Sequence, residues 1–350
     1  MGKSIKTDIL IIGAGPVGLF TVFEAGLLGL KCEIVDNLDK IGGQCSELYS
    51  DKPIFDIPGV PYQTAEQHIQ ALLDQIKPFE YGLHLDERVE EIDLVNEQKD
   101  IKEWKVKTSQ GKEFITTNIF IAAGGGSFEP RRPPNIEDPD RFIGKGVAYS
   151  VRNKEHYKNK DLLIFGGGDS ALDWTVELAD LTKSLTLVHR RDVFRGAPHT
   201  ETLMRELVET GNVNLKTPYV IESIEGNQQI SGVTIKNFET KGIESLDCNE
   251  ILFLFGLNKK LGPIANWGLD LNAKKISVDT EKFQTSEEGI FAVGDINDYP
   301  GKLDLILCGF HETTLAVQHA FRRCFPGERV PFGYTTSNTR LHKKLGVKVD

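Results

Sequence analysis

The stretch that decides the fold is TDILIIGAGPVGLF, residues Thr7–Phe20. It opens with a continuous apolar run, Ile9–Ile12, which is typical of a parallel strand buried on both faces. Three glycines follow at once in the spacing Gly13-x-Gly15-x-x-Gly18. The first glycine permits a tight turn, the second lets a pyrophosphate approach the backbone, and the third lets a helix pack closely on the strand. The stretch therefore predicts a strand, a phosphate-binding turn and the start of a helix.

An acidic residue completes this unit. A second apolar strand, CEIVD, ends in Asp36, which lies 23 residues after Gly13. A carboxylate at this distance accepts a hydrogen bond from a ribose 2′-hydroxyl, and it would repel a 2′-phosphate. The order of strand, turn, helix, strand and acid distinguishes the motif from a purely structural glycine turn. We therefore predict a site for FAD or NAD, formed by Gly13, Gly15, Pro16, Val17, Gly18 and Asp36.

The same arrangement recurs in DLLIFGGGDSALDWTVELADLTKSLTLVHRR, residues 161–191. Here the position that corresponds to Asp36 holds His189, which Arg190 and Arg191 follow. An arginine fork binds a 2′-phosphate, so this copy favours NADPH, although the two arginines are also compatible with a solvated charge pair. Alanine is an accepted third residue of the glycine motif. The predicted NADPH site consists of Gly166, Gly168, Asp169, Ser170, Ala171, His189, Arg190, Arg191 and Arg195.

The composition bounds the class of protein. The 350 residues are enough for two domains, and 39% hydrophobic with 26% charged residues favour a folded chain with sizeable cores. A net charge of -10 argues against nucleic-acid binding, which needs a positive surface. The five cysteines form no C-x-x-C pair and have no zinc spacing, so we assign no metal site and expect a reducing cytoplasm. The apolar N-terminus is similar to a signal peptide, but Asp8 and Pro16 interrupt it, and no segment approaches the length of a membrane span.

The remaining segments indicate how the two glycine units divide the chain. Residues 116–133, TTNIFIAAGGGSFEPRRP, are typical of a strand followed by a crossing between domains. Residues 289–298, GIFAVGDIND, predict another strand, and we expect Asp295 at its end to bind flavin ribityl or phosphate oxygens. The sequence thus predicts an α/β fold with two Rossmann-like dinucleotide-binding domains. The predicted bounds are 1–122 plus 288–350 for a discontinuous FAD-binding domain and 123–287 for the NADPH-binding domain.

Together these motifs resemble the thioredoxin-reductase-like flavoproteins, and more closely their ferredoxin–NADP+ reductase branch. The resemblance covers essentially the whole chain and includes GAGPVGLF, IGGQCSELY, FGGGDSALDW, VHRRDVFR, LGPIANWGLDL, FAVGDINDYPGKLDLI and TTSNTRLHKKLG. It implies the fold of the class II pyridine nucleotide-disulfide oxidoreductases, with FAD and NADPH as cofactors. It also implies a homodimer that exchanges hydride between NADP(H) and flavin N5 and then single electrons with ferredoxin or flavodoxin. The redox C-x-x-C of thioredoxin reductases is missing from the segment before the second glycine motif, and disulfide reduction by thiol exchange needs a thiolate.

The resemblance also implies roles for single residues, none of them a classical acid, base or nucleophile. Asp36 would bind the FAD ribose, while Gln44 and Asp295 would contact the polar edge or the chain of the flavin. Tyr49 would stack on one face of the flavin, or it is an ordinary buried aromatic residue. The remaining implied contacts to the adenine or isoalloxazine are Val89, Phe128, Tyr334, Thr335 and Thr336.

Three alternative functions stay open. Cys45 in GGQCSELYS is a candidate lone redox thiol in a reductase of small disulfides. The related bacillithiol-disulfide branch typically carries a cysteine within the first glycine motif, where this chain has Val17. The other two alternatives are a flavin-binding redox sensor without enzymatic activity and a general NADPH diaphorase.

Basic residues near the C-terminus suggest a docking face for the partner. Ferredoxins and flavodoxins are acidic, so binding to a chain of charge -10 needs a local positive surface. A solvated terminal helix is an equally good interpretation of such a charge run. The residues of this predicted face are Arg340, Lys343, Lys344 and Lys348, with Arg131 and Arg132 as additions.

Overall fold

The strand predicted from the first glycine motif, β1 (Ile5–Ile12), lies inside a largely parallel sheet. It pairs in parallel with β2 (Cys32–Val35) on one side and β8 (Glu113–Ile121) on the other. β5 (Tyr81–His84) continues the sheet beyond β2, and β21 (Ile290–Ala292) pairs with β8. Because both faces of the sheet are covered, the apolar run of β1 is almost completely buried, as the sequence predicted.

Two cores cover the faces of this sheet. On one face, α1 (Pro16–Leu28), α3 (Ala65–Ile76) and α6 (Ile306–Cys324) pack their apolar residues against alternate side chains of β1. On the other face, an antiparallel meander of β6 (Val89–Gln98) and β7 (Ile101–Thr108) extends from β8 and encloses the second core.

The second glycine motif belongs to a separate parallel sheet. β11 (Asp161–Gly166) pairs with β12 (Ser184–Val188) and with β17 (Glu250–Leu254). α4 (Asp169–Leu178) and α5 (Pro198–Glu209) bury Leu172 and Met204 against it. An antiparallel sheet covers its opposite face with Ile221, Val233 and Ile235. The predicted α/β class with two Rossmann-like units is therefore confirmed.

The chain divides into two units, residues 1–127 with 259–350 and residues 128–258. The chain passes from the first unit to the second after residue 127, close to the predicted boundary at 122. It passes back to the first unit at residue 259, whereas the predicted boundary is 288. Residues 259–287 belong to the first unit because Ile264, Leu269 and Ile276 are buried in its second core. Which cofactor each unit binds is not decided by these boundaries and stays a prediction.

The structure is a computed structural model. It describes residues 4–98, 101–331, 333–344 and 346, with the backbone alone at 97, 98, 127–129, 257–259, 340 and 344. None of the helices in these ranges combines the length and apolar character that crossing a membrane requires. The further elements are α2 (Gln44–Leu48), α7 (Thr339–Lys344), β3 (Pro53–Ile54), β4 (Gln63–Thr64), β9 (Ser127–Pro130), β10 (Val147–Ala148), β13 (Asn214–Lys216), β14 (Tyr219–Gly226), β15 (Ile230–Asn237), β16 (Ile243–Asp247), β18 (Leu257–Lys260), β19 (Leu271–Asn272), β20 (Lys275–Ser277) and β22 (Asn297–Asp298).

Candidate functional site

The three glycines of the first turn have different environments. Gly13 has φ +115°, and a Cβ there would lie 2.4 Å from the Ala122 carbonyl oxygen. A Cβ on Gly18 would lie 1.9 Å from the Gly13 carbonyl oxygen. Gly15 differs, because nothing lies within 4 Å of the Cβ position and its φ of -75° suits any residue. The fold itself requires Gly13 and Gly18, whereas the space beside Gly15 is open to a ligand.

Asp36 is fixed at the end of β2, beside this turn. Its Oδ2 accepts a hydrogen bond from the Ala14 N–H at 2.5 Å, and its Oδ1 accepts one from the Leu38 N–H at 2.8 Å. Burial raises the pKa of the Asp36 carboxyl, and these two backbone bonds partly oppose that rise. The carboxylate is thus held by the backbone in the position at which a ribose hydroxyl would reach it.

Two predicted flavin contacts meet beside Gly15. The Gln44 Nε2 donates to the Asp295 Oδ2 at 3.3 Å, although the two residues are 251 positions apart in the sequence. A Cβ on Gly43 would lie 3.2 Å from the Gly15 Cα, so the turn before Gln44 lies against the phosphate-binding turn. Open space at Gly15, a buried acid and a polar pair on neighbouring turns are the features that FAD requires, so the residues present fit this group.

Cys45 and Tyr49 lie on one side of α2. The Cys45 Sγ and the Tyr49 Oη are 3.5 Å apart, and either atom can be the donor. Cys45 is 1% exposed, and burial raises the pKa of its thiol above the ordinary value. Burial also raises the pKa of Tyr49, with further contributions from Cys45 and Asp295. Tyr49 is therefore a half-buried neutral phenol whose hydroxyl is held by Cys45.

The side chains of two predicted flavin residues, Val17 and Val89, pack among apolar residues. The Val17 side chain packs against α6, where a Cβ on Gly309 would lie 2.4 Å from its Cγ2, and Val89 is buried in the second core. Only the backbone of Val17 is therefore available to the turn. Thr335, Thr336 and Tyr334, which is 73% exposed, lie at the surface, and their assignment stays a prediction. The side chain of Phe128 lies outside the described residues.

The second glycine turn, like the first, combines a closed glycine position with an open one. A Cβ on Gly166 would lie 2.6 Å from the Leu254 carbonyl oxygen and 2.7 Å from the Ala171 Cβ, so this position is closed. Nothing lies within 4 Å of the Cβ position of Gly168, which precedes α4. Asp169 in the first turn of α4 accepts a hydrogen bond from the Ala197 N–H at 2.8 Å. Its carboxylate therefore fixes the neighbouring loop, and Gly168 is the open position.

His189 takes the place of the acid and lies on the turn. A Cβ on Gly167 would meet the imidazole ring at 2.2 Å, and the Phe194 ring stacks on His189 with centroids 5.1 Å apart. Burial lowers the pKa of His189, and the positive charges of the nearby arginines lower it further. A neutral imidazole therefore lines this position at pH 7.

Three arginines lie near His189. Arg190, Arg191 and Arg195 are exposed, and each lies close enough to lower the pKa of His189. No acidic side chain among the described residues forms an ion pair with any of the three. Exposed guanidinium groups without a carboxylate partner are available to an anion, so these residues fit a 2′-phosphate.

One residue of the first site has no motif in the sequence. Glu312 lies on α6 and is completely buried, on the same helix face as Gly309, Thr313 and Ala316. Its carboxylate contacts the turn that carries Asp295. The only signal in the sequence is an acid at a position that helical periodicity assigns to the core.

Comparisons with known proteins give one family. The family model described as pyridine nucleotide-disulphide oxidoreductase matches residues 7–320. A protein from Nitrobacter hamburgensis named ferredoxin–NADP reductase is 50% identical, over 99% of this chain and 100% of its own length. Another protein of that name, from Pelagibacter ubique, is 49% identical over 98% of this chain and 99% of its own length.

Solved structures show the same fold at low identity. Thioredoxin reductase from Lactococcus lactis has a TM-score of 0.72 at 24% identity and covers 91% of this chain and 98% of its own. Bacillithiol disulfide reductase from Staphylococcus aureus has a TM-score of 0.70 at 15% identity and covers 90% of this chain and 98% of its own. At these identities the likeness concerns the fold alone.

Proposed function

Since this chain belongs to the pyridine nucleotide-disulphide oxidoreductases, and within them to the ferredoxin–NADP reductases, we propose that it exchanges electrons between NADP(H) and ferredoxin through FAD. It is an oxidoreductase with FAD and NADP(H) as cofactors. FAD belongs to the first glycine turn and NADP(H) to the second.

One observation carries this proposal. The chain builds the same phosphate-binding turn twice, and the two turns end in opposite charges. The first ends at Asp36, a buried carboxylate held by two backbone N–H groups. The second ends at Arg190 and Arg191, which are exposed. A carboxylate selects an unphosphorylated ribose, and an arginine pair selects a 2′-phosphate, so the two sites accept different dinucleotides.

The residues of the first site bind and orient FAD. Bound FAD would supply the redox chemistry that links two-electron transfer from NADPH to single-electron transfer to a carrier. The backbone at Gly15 and the N-terminus of α1 would bind the pyrophosphate, and Asp36 would accept a hydrogen bond from the ribose hydroxyl. Gln44 and Asp295 would present their polar groups to the flavin, and Tyr49 would cover one of its faces and exclude water. The protein thus supplies position and polarity, and no side chain is required as an acid, base or nucleophile.

The proposal is tested by identifying the cofactor and the acceptor. We expect the purified protein to release FAD on denaturation and to reduce ferredoxin with NADPH as donor. Small disulfides should be reduced at least about 100-fold less efficiently than ferredoxin, because the chain provides no exposed thiolate pair. Efficient turnover of a disulfide without turnover of ferredoxin would reject the assignment.

The alternative of a small-disulfide reductase depends on Cys45. A nucleophilic cysteine needs access to solvent and a lowered pKa. Cys45 is 1% exposed, and burial raises its pKa, so the thiolate is scarce at neutral pH. A redox sensor would be recognised by slow reduction of its flavin by NADPH. A general diaphorase would be recognised by the absence of any preference for ferredoxin as acceptor.

We expect Cys45→Ser to retain ferredoxin reduction within about threefold of the wild-type rate, because a protonated, buried thiol takes no part in electron transfer. Cys308→Ser on α6 serves as the matched control, since it changes a half-buried cysteine outside this cluster. Steady-state turnover of both variants with NADPH is the measurement. Loss of turnover in Cys45→Ser alone would restore the redox-thiol interpretation.

The partner, assembly and location are finer parts of the proposal. Ferredoxin follows from the family, while flavodoxin as a second acceptor, a homodimer, the absence of membrane and nucleic-acid partners, and a cytoplasmic location rest on the sequence and the resemblance. Within the predicted docking face, Lys343 is exposed, the side chains of Arg340 and Lys344 are not described, and Lys348 lies outside the described residues. Arg132, which was predicted to add to this face, forms an ion pair within the protein.

Arg132 does not fit the predicted docking face because it is already paired. Its guanidinium forms hydrogen bonds to both carboxylate oxygens of Asp140 at 2.8–3.1 Å, and it stacks on Tyr149 at 4.8 Å. A partner's carboxylate would have to displace Asp140 to bind it. We therefore leave Arg132 out of the proposed docking face and keep the tail, while Arg131 stays a prediction.

Neutralising the tail with Arg340→Gln, Lys343→Gln and Lys344→Gln should lower the ferredoxin on-rate about 3- to 10-fold at low salt and flatten its salt dependence. Positive charges at a docking face steer an acidic partner, and added salt screens this attraction. The control is Lys145→Gln with Lys274→Gln, which removes exposed lysines outside the tail. Stopped-flow association at several ionic strengths decides the matter, and an unchanged salt response in the tail variant would exclude this face.

A further inference from the structure

We propose that Glu312 is a positioning residue, which holds the turn carrying Asp295 in the shape that binds FAD. Glu312 lies on α6, outside both glycine motifs, and the proposed function gives it no role. This inference rests on the proposal that the first unit binds FAD. It adds a residue that acts on the cofactor through the turn that contacts it.

The Glu312 carboxylate accepts hydrogen bonds from four groups of a single loop, residues 294–302. Its Oε2 accepts from the Gly294 backbone N–H at 2.7 Å and from the Asn297 Nδ2 at 2.8 Å. Its Oε1 accepts from the Tyr299 hydroxyl at 2.9 Å and from the Lys302 Nζ at 2.5 Å. One carboxylate therefore connects the first residue of the turn with the end of the loop.

The charge of this carboxylate is compensated inside the protein. The side chains of Glu312 and Lys302 are 0% and 4% exposed, so the pair is removed from water. A buried carboxylate is tolerated only when its lone pairs are satisfied and its charge is paired, and both conditions hold here. Removal of one partner would leave a buried group unpaired, which is the costly case.

The loop that Glu312 binds also contacts α1, Gln44 and β21. Gly294 has φ +78°, and a Cβ there would lie 3.2 Å from the Val17 Cγ2, which places the turn against the start of α1. Asp295 follows and accepts a hydrogen bond from Gln44. The Asn297 Nδ2 also donates to the Ala292 carbonyl oxygen at 2.9 Å, which ties the loop back to β21. A displacement of Gly294 would therefore move Asp295 relative to Gln44 and Gly15.

The test compares apoproteins, so that it does not depend on turnover. We expect Glu312→Gln to weaken FAD binding roughly 30-fold, because the amide turns an N–H₂ group toward donors and loses one acceptor. Lys302→Met, which leaves the carboxylate buried without its cation, should weaken FAD binding about tenfold. Both should shift the visible absorption band of bound FAD, since the polar groups beside the flavin move. Glu288→Gln is the matched control, because it breaks the ion pair with Arg323 in the same unit without touching this loop.

The measurements are the dissociation constant of FAD by fluorescence, the absorption spectrum of bound FAD and the melting temperature of each apoprotein. Weakened binding with a shifted spectrum in Glu312→Gln, but not in Glu288→Gln, supports the inference. Binding within twofold of wild type and an unshifted spectrum would overturn it, whatever the melting temperature. If Glu312→Gln does not fold, Tyr299→Phe removes one donor alone, and wild-type binding in both Tyr299→Phe and Lys302→Met overturns it as well. If the wild-type apoprotein binds no FAD, the proposed function itself fails, which is a distinguishable result.

Discussion

Replacing Arg190 and Arg191 together by alanine is expected to lower kcat/KM for NADPH about 100- to 1000-fold and to leave kcat/KM for NADH nearly unchanged. Each charge-assisted hydrogen bond to a phosphate contributes about 1.5–3 kcal/mol, and 1.4 kcal/mol corresponds to a factor of ten. The two guanidinium groups are exposed beside His189 and have no carboxylate partner among the described residues, so their loss removes binding to the 2′-phosphate and little else.

The control for this variant is Arg205→Ala. Arg205 belongs to the same unit, but it already pairs with Glu201 at 2.7 Å and stacks on Phe194 at 5.5 Å. The Arg205→Ala substitution should therefore leave the preference for NADPH intact. The measurement is the ratio of kcat/KM for NADPH to kcat/KM for NADH, together with the rate of flavin reduction by each nucleotide. An unchanged kcat/KM with both nucleotides would mean that the arginines are a solvated pair, and equal losses with both would mean that they do not recognise the 2′-phosphate; either result would place specificity elsewhere.

The alanine variants Gly15→Ala and Gly168→Ala should separate the two cofactors. We expect Gly15→Ala to weaken FAD binding about 100-fold, or ~2.7 kcal/mol, while the apoprotein melts within about 2 °C of wild type. The reason is that a Cβ at Gly15 meets nothing within 4 Å in the protein and projects only into the space for the pyrophosphate. Gly168→Ala should keep its FAD and lose efficiency with NADPH by a similar factor.

Gly18→Ala is the contrasting variant within the same motif. A Cβ there would lie 1.9 Å from the Gly13 carbonyl oxygen, so the helix has to move away from the strand. We expect a loss of about 3 kcal/mol in the free energy of unfolding of the apoprotein, measured by denaturant titration. If Gly15→Ala destabilised the apoprotein as strongly as Gly18→Ala and bound FAD normally, Gly15 would be a structural glycine and the site would lie elsewhere.

The glycine motifs and the acid after β2 were predictable because they are local. The spacing from Gly13 to Asp36 is set by one strand, one turn and one helix, so the sequence contains the whole geometry. The same is true of the second copy up to Arg191. The continuous apolar run Ile9–Ile12 likewise predicted the buried β1, since a parallel strand that is covered on both faces shows no alternation.

Contacts between distant segments were not predictable. Gln44 and Asp295 were assigned to the flavin separately, and only the fold shows that they are bonded across 251 positions. The sequence predicts residues 259–287 in the second unit, whereas the structure groups them with the first, and the core contacts responsible come from tertiary packing. Glu312 is the extreme case, since a single acid in an amphipathic helix has no pattern until its four donors are seen together.

The most direct test of the central claim is anaerobic stopped-flow mixing of the FAD-loaded protein, first with NADPH or NADH and then with oxidised ferredoxin. The two charged turns predict that NADPH bleaches the flavin at least about 100-fold more efficiently than NADH. Ferredoxin should then restore the flavin absorbance as it becomes reduced. A flavin that NADPH does not bleach, or that returns its electrons to a small disulfide but not to ferredoxin, would contradict the account.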